Sequence, residues 1–252
     1  MTKPKIVVVT GSSGPLGIEI TKNFLAKRGY FVIGVDINDG WPPSQNAENF
    51  QFIKCDLQDS KLRSLLIKEI RAFGDVDILI NNAAITSEFL KTGYAVEFWR
   101  QTDEAFSKAL AVNLVAPFSL SRDLFSNSGS TMGKNIVNII STYGLVGPNL
   151  SIYEDTNMNN SAGYAASKGG LAQLTRYLAT VLAPNVRVNG VAPGGILRSQ
   201  PQRFIEKYKT LTPLARMNSE GEVVAAIDFI SSDKASYITG QILAVDGGWT
   251  AW

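Results

Sequence analysis

The chain of 252 residues contains no histidine. Imidazole is the usual proton carrier near neutral pH, so any acid–base chemistry here has to rest on another group. The one cysteine, Cys55, excludes an internal disulfide and fits a reducing compartment. It stands at the end of the apolar run "FIKCDL" and reads as a packed structural thiol. With no histidine and a single cysteine, no transition-metal site is expected. Excess charge is missing too: 24 Lys and Arg against 22 Asp and Glu leave a net charge of +2, which gives no support for nucleic acid or an anionic membrane as a partner. No apolar run approaches the roughly 18 residues that span a bilayer. The opening "MTKPKIVVVTG" has too short an apolar stretch for a signal peptide. Together these absences read as a cytoplasmic protein.

What is present is an ordinary globular composition, 45% hydrophobic and 18% charged. Short β-branched runs at 5–11, 30–36, 50–56, 76–82, 135–141, 186–192 and 241–248 read as buried strands. Between them, stretches at 16–29, 61–74, 103–125, 164–182 and 220–232 carry apolar residues three and four apart and read as helices, two of them running into Gly29 and Gly74. Alternation of nearly continuous apolar strands with helices predicts an α/β fold: a single Rossmann-type, doubly wound parallel sheet of about seven strands with helices on both faces. No repeat, low-complexity tract or linker divides it, so one domain over 1–252 is expected.

The segment "VVVTGSSGPLGIEI" follows the first strand and opens the first helix. Glycine there lets the backbone approach a pyrophosphate, and a helix N-terminus offers unpaired N–H groups and a positive dipole end. Pro15 suits the first turn, where its missing N–H costs little. Asp36 closes the second strand about 20 residues past Gly17, where a carboxylate can accept hydrogen bonds from adenosine ribose hydroxyls. Its charge would repel a 2′-phosphate, and "GSSGPLG" holds no Arg or Lys to offset that, so NAD is favoured over NADP. A solvated strand end is the plainer reading of Asp36.

Farther along, "SAGYAASKGGLAQL" puts Tyr164 and Lys168 four positions apart, on one face if the segment is helical. A phenol with an ordinary pKa near 10 is a poor base at neutral pH. A nearby ammonium and a cationic nicotinamide ring both favour the phenolate and bring tyrosine into a range useful for proton transfer. This pair can replace histidine, although with 8 tyrosines it also arises easily by chance. Ala165, Ala166, Gly169 and Gly170 leave room for a ligand or a partner helix.

Taken in order, "TGSSGPLG" at 10–17, Asp36, "CDL" at 55–57, "NNAA" at 81–84, Asn113 in "LAVNL", Ser141 in "NIIS", "YAASK" at 164–168, "APGG" at 192–195 and "GQILAVDGG" at 240–248 resemble the classical short-chain dehydrogenase/reductase family over nearly the whole chain. That resemblance implies Tyr164 as acid–base, Lys168 holding the cofactor ribose and lowering the phenol's pKa, Ser141 bonding the reacting oxygen, and Asn113 anchoring a proton-relaying water. It places Gly11, Ser13, Gly14, Pro15, Leu16 and Gly17 around the pyrophosphate, with Asp36 on the ribose and Asp56 and Leu57 at the adenine. Asn82, Ala83 and Ala84 would line the floor, and Pro193, Gly194 and Ile196 would pass the nicotinamide, with Tyr164 and Lys168 also touching the cofactor. Alone, Asn113 equally suits backbone bonding and Ser141 a strand-end cap.

Four features depart from the family pattern. The second glycine is Gly14, followed by Pro15, a spacing like that of the extended branch, while length and C-terminal motifs fit the classical one. Ala84 replaces a commoner glycine, which reads as a packing change. Arg198 stands where a threonine often meets the nicotinamide amide. Ser141 and Tyr164 lie 23 positions apart, against about a dozen in typical members.

The extra length falls in an inserted loop, about 144–162, rich in Asn and Ser with Tyr153, Glu154 and Asp155. Such side chains suit a polyhydroxylated ligand better than a fatty one; a plain surface loop or a subunit contact fits equally. After Gly195, a substrate-covering segment, about 195–217, carries Arg198, Arg203, Lys207, Lys209 and Arg216. These could receive a phosphate or carboxylate or could line a solvated helix face. "GLVGPN…IYEDT…YAASKGGLAQLTRYLAT" and the ending "VDGGWTAW" resemble a branch associated with flagellin modification and surface-glycan biosynthesis. The expectation is an NAD-dependent oxidoreductase interconverting a secondary alcohol and a ketone, on a sugar or nucleotide-activated sugar. A 3-oxoacyl thioester or other small carbonyl reductase, and a non-catalytic NAD-binding regulator, are the alternatives. The resemblance further implies a homodimer or homotetramer built on helices 97–127 and 162–182 and the C-terminal segment. There Trp249 and Trp252 suit either a subunit contact or the core.

Overall fold

The structure is a computed structural model and describes residues 3–39, 48–87, 89–90, 92–126 and 133–252. Seven strands, β1 (Lys5–Thr10), β2 (Tyr30–Asp36), β3 (Phe50–Lys54), β4 (Val76–Asn81), β5 (Lys134–Ile139), β6 (Val186–Pro193) and β7 (Ile242–Val245), form one sheet in the order β3-β2-β1-β4-β5-β6-β7. Every pairing is parallel. The helices are α1 (Pro15–Leu25), α2 (Ser60–Phe73), α3 (Asp103–Leu110), α4 (Ala116–Phe125), α5 (Ala162–Val181), α6 (Gln202–Leu211) and α7 (Glu220–Ser231).

Strand periodicity sorts the core into two layers. Side chains alternate across a strand, so Ile6 and Val8 of β1 join Leu66 and Ile70 of α2, Leu120 of α4 and Leu178 of α5 on one face. Val7 and Val9 join Ile20 and Phe24 of α1 and Val223 and Ile227 of α7 on the other. Val7, Val8 and Val9 have no exposed surface, and each such burial stabilises the fold by about 1.5–3 kcal/mol. A parallel sheet covered on both faces uses a continuous valine run in this way.

The seven strands agree with the sequence reading to within a few residues, with one physical correction. Leu243 and Ala244 of β7 are exposed rather than buried, because β7 is an edge strand paired only to β6. α1 ends at Leu25, so Gly29 turns the chain into β2 (φ +86°), while Gly74 does cap α2 (φ +136°). The expected long helix 97–127 is broken into a 3₁₀ turn Phe98–Arg100, α3, a π-helical turn Ala111–Val115 and α4; its last position lies outside the described residues. α6 lies in the covering segment, where the sequence offers a solvated helix face as one reading of the basic residues. Its signal, Phe204, Ile205 and Tyr208 on one buried stripe, was obscured by the interleaved Arg203, Lys207 and Lys209. Among the described residues no helix is long and apolar enough to cross a membrane.

The chain runs β1-β2-β3 toward one edge and then returns to β4 beside β1. Neighbouring connections therefore leave the sheet in opposite directions past the carboxyl ends of β1 and β4, the crevice in which open α/β sheets bind ligands.

Candidate active site

Into that crevice opens a cavity of about 720 Å³. Its lining includes every cofactor-binding position expected from the sequence, and also Ser141, Tyr164 and Lys168. Asn113 does not line it.

The loop after β1 is shaped by two glycines. Gly11 has φ +66°, and a Cβ on it would lie 2.8 Å from the Ala83 Cα. A Cβ on Gly17 would lie 1.9 Å from the Gly11 carbonyl oxygen. Gly14 is different: it is the N-cap of α1, with φ −74°, ψ 160° and no side-chain cap, and any residue can adopt that backbone. The shift of the second glycine relative to the family pattern therefore costs little. Pro15 occupies the first turn of α1 as expected. The Ser13 and Asn38 N–H groups donate to the two carboxylate oxygens of Asp36, at 2.9 and 3.0 Å. Asp36 thus holds the loop as well as lining the cavity, with a lone pair on each oxygen still able to accept. The Ser13 hydroxyl is buried without a hydrogen-bond partner. An uncapped helix N-terminus, a glycine cradle and an orphaned hydroxyl together fit a pyrophosphate, and the Asp36 carboxylate fits a ribose diol.

The floor is tied to the same loop. Asn82 donates from Nδ2 to the Thr10 and Gly11 carbonyls, both at 3.0 Å, and the Asn82 and Ala83 N–H groups donate to Thr10 Oγ1. Behind it a buried chain, Asn81 to Asn138 (2.8 Å) to Thr175 (2.9 Å), joins β4, β5 and α5. Cys55 is buried in the core as expected, although it also reaches the cavity wall; burial, with Asp56 adding, pushes its thiol up to about 11 and keeps it an inert packing group.

Tyr164 and Lys168 sit on α5, whose N-cap Ser161 accepts the Gly163 and Tyr164 N–H groups. Gln101 fastens the same end, accepting the Ala162 N–H and donating to the Asn160 carbonyl. Tyr164 is in the first turn, where the helix dipole favours negative charge. Lys168 is 2% exposed, and its Nζ donates to the Ile139 carbonyl at the end of β5 (2.6 Å) and lies 5.7 Å from the Tyr164 ring centre. Ser141 stands two residues past the end of β5 and caps a 3₁₀ turn Thr142–Gly144, its Oγ accepting the Tyr143 N–H at 3.3 Å.

Burial raises the Tyr164 phenol above its ordinary value; a hydrogen bond with Ser141 and the charge of Arg198 work against that rise. Arg198 is thus a second positive charge bearing on the phenol, besides the Lys168 ammonium next to the Tyr164 ring. Burial pulls Lys168 itself down to about 7. A lysine with a folded pKa below its unfolded value of 10.5 binds fewer protons when folded, so stability rises with pH across the window from about 7 to 10.5. Urea unfolding at pH 7 and pH 9 is expected to show the native chain gaining on the order of 2 kcal/mol relative to Lys168→Met. Equal pH slopes in the two proteins would contradict the assignment.

Asn113 lies in the π-helical turn, fully buried. Its Oδ1 accepts the Ile85 N–H at 2.7 Å and its Nδ2 donates to Ser167 Oγ at 3.0 Å and, at 3.4 Å, to the Ile85 carbonyl. Through these bonds the side chain clamps the segment after β4 to the residue preceding Lys168.

The insertion is packed, not a plain surface loop. Ile152 is fully buried with Phe204, Tyr208, Met217 and Trp249, and Tyr208 stacks on Trp249 with ring centres 4.4 Å apart. Trp249 thus belongs to the core, whereas Trp252 is exposed. Four of the five basic residues of the covering segment are ion-paired: Arg203 with Asp155, Lys207 with Glu154 (3.5 Å), Arg198 with Glu220 (2.9 Å) and Arg216 with Glu222 (2.5 Å). That pairing removes the anion-receiving cluster suggested by the sequence, and of these residues only Arg198 lines the cavity. Tyr143, Phe204 and Tyr208, which the sequence reading passed over, line it as well.

A family model described as enoyl-(acyl carrier protein) reductase matches residues 15–250. The chain is 30% identical to an acetoacetyl-CoA reductase of Acinetobacter sp. over 98% of both chains. It is 34% identical to the galactitol 2-dehydrogenase (L-tagatose-forming) of Cereibacter sphaeroides, over 97% of this chain and 94% of that one. It is 27% identical to the post-translational flagellin modification protein A of Campylobacter coli, over 99% of both. Among solved structures, a short-chain dehydrogenase from Leptospira borgpetersenii with bound NAD+ superposes with a TM-score of 0.87 at 33% identity, covering 98% of this chain and 93% of that one.

Proposed function

This chain belongs to the short-chain dehydrogenase/reductase family, and we propose that it is an NAD-dependent oxidoreductase interconverting a secondary alcohol and a ketone on a sugar-like substrate. The observation that carries this reading is one cavity holding both the Asp36 carboxylate and the Ser141, Tyr164 and Lys168 side chains. A dinucleotide-binding regulator would need the first and not the others. Asp36 and the loop around Ser13 would hold the adenosine and pyrophosphate, and Lys168 has N–H groups beyond its bond to Ile139 to offer a ribose. When bound, NAD supplies the electron-pair acceptor for oxidation and the donor for reduction.

The protein's own part is proton transfer and orientation. In oxidation the Tyr164 phenolate takes the proton of the substrate hydroxyl while Ser141 Oγ holds that oxygen; in reduction Tyr164 returns the proton to the ketone oxygen. The helix N-terminus and Arg198 lower the energy of the phenolate. Asn113 is a positioning residue in this scheme.

Three observations support a polyhydroxylated substrate. The cavity carries the phenols of Tyr143, Tyr153 and Tyr208 beside the reacting groups, the galactitol dehydrogenase is a relative, and the flagellin modification relative supports a role in surface-glycan biosynthesis. The acetoacetyl-CoA reductase relative favours a 3-oxoacyl thioester instead. Exposed apolar residues on α3, the π turn and α4 (Phe106, Val115, Phe118) and on α5 (Tyr177, Val181) support a homodimer or homotetramer through those faces.

The test is turnover. The purified chain is expected to oxidise members of a panel of sugar alcohols and glycosides with NAD+, and to prefer NAD+ over NADP+ by about tenfold or more, because a 2′-phosphate would meet the Asp36 charge. Reduction of a 3-oxoacyl thioester with NADPH, without oxidation of any sugar alcohol, would overturn the reading.

A further inference from the structure

We propose that the hydrogen-bonded phenols of Tyr143 and Tyr153 form a second recognition point in the active-site cavity, which holds a hydroxyl on the carbon next to the one undergoing reaction. This rests on the proposed alcohol–ketone chemistry and narrows its substrate to a vicinal diol unit.

The pair is built from two sides. Tyr143 stands two residues past Ser141 in the same 3₁₀ turn, and its N–H donates to the Ser141 hydroxyl. Tyr143 is thereby fixed to the group that holds the reacting oxygen. Tyr153 comes from the insertion, at the end of a second 3₁₀ turn, Leu150–Tyr153. The two hydroxyl oxygens lie 2.7 Å apart, and both side chains line the cavity. Ser141 and Tyr164 line the same cavity as both phenols.

The insertion is organised to deliver this one side chain. Among the described residues of 144–162, Tyr153 alone lines the cavity. Glu154 and Asp155, the other polar candidates, bond Lys207 and Arg203 of α6. Lys207 also donates to the Ser151 and Glu154 carbonyls, at 2.8 and 3.0 Å. With Ile152 buried beneath, and the Tyr153 ring 5.5 Å from that of Phe204, the phenol has little freedom to move.

The chemistry of the pair suits an alcohol. One phenol donates to the other, which leaves one O–H hydrogen and several lone pairs unused, so the pair can both donate to and accept from a substrate hydroxyl. Burial keeps both phenols neutral, with Tyr153 pushed up to about 12 and Tyr143 higher still, so neither turns into an anion that would repel a polyol's oxygens. A site that hydrogen-bonds a substrate hydroxyl discriminates against the analogue lacking it, because its own polar groups are then left unpaired.

The experiment compares vicinal cyclohexanediol with cyclohexanol as substrates for the native chain, Tyr153→Phe and Tyr143→Phe, with NAD+ saturating. Phenylalanine keeps the ring packing and removes only the hydroxyl. The native chain is expected to prefer the diol in kcat/KM. Each variant is expected to lower the diol-to-monoalcohol ratio about fivefold, mostly through KM of the diol. A ratio unmoved by both substitutions overturns the proposal, even where both rates fall together, since that pattern belongs to a structural role. A native chain that oxidises cyclohexanol without preferring the diol overturns the pair while the alcohol–ketone chemistry stands; one that oxidises neither overturns the pair, and the alcohol–ketone chemistry falls with it only where the sugar-alcohol panel is also untouched.

Discussion

Tyr164→Phe is expected to lower kcat for the alcohol substrate by about a hundred- to ten-thousandfold, the usual contribution of one positioned acid–base group. NADH binding should change little, because the phenyl ring keeps its place against Ile85, Tyr94 and Ala109. The pH dependence identifies the cause. Oxidation needs the ionised phenol, and burial holds its pKa above the ordinary value against Ser141 and Arg198. In the unsubstituted enzyme kcat/KM for oxidation should therefore rise with pH as Tyr164 ionises, while reduction falls over the same range. The variant should lose both slopes. Rapid-quench and steady-state rates across pH, on a substrate for which chemistry is the slow step, make the comparison. Equal rates in the two proteins would remove Tyr164 from the chemistry.

The second large effect is expected at Gly17, where an alanine Cβ would overlap the Gly11 carbonyl oxygen at 1.9 Å. Gly11 cannot retreat freely, since it is packed against the Ala83 backbone at φ +66°. Gly17→Ala should therefore force the loop out of its phosphate-binding shape. The expected result is a loss of NADH affinity of about a hundredfold or more, with destabilisation of about 1–3 kcal/mol and a Tm lower by about 5 °C. Gly14→Ala is the informative contrast, because its Cβ would meet only the Gly11 carbonyl oxygen at 3.5 Å, an ordinary contact. It should lose far less affinity. Fluorescence titration with NADH and thermal unfolding of both variants decide the matter, and similar affinities for the two would refute the steric argument.

Much of this architecture was legible in the residues because the physics there is local. A run such as Val7-Val8-Val9 calls for a strand covered on both faces, which strand–helix alternation makes a parallel sheet, and glycines between a strand and a helix mark a close backbone approach. The tyrosine–lysine spacing likewise places two side chains on one helical face. Where the reading fell short, the deciding partner lay far along the chain. The basic residues of the covering segment suggested an anion site, but Arg203 and Lys207 are matched by Asp155 and Glu154, about 50 positions earlier. Arg198 looked like a lost cofactor contact, whereas it lines the same cavity as Tyr164 and is held by Glu220, 22 positions later. Asn113 was recognisable as unusual, yet its bonds to Ile85 and Ser167 depend on a π-helical turn that no periodicity reveals.

The coupling of the insertion to α6 bears on how such an enzyme can be re-engineered. The two segments share one hydrophobic filling, Ile152 against Phe204 and Tyr208, and a matched set of charges. A graft that exchanged either piece alone for that of a shorter relative would strip cover from an apolar side chain and strand two cations or two carboxylates. Changing what this enzyme accepts is accordingly a problem of transplanting both segments as one cassette.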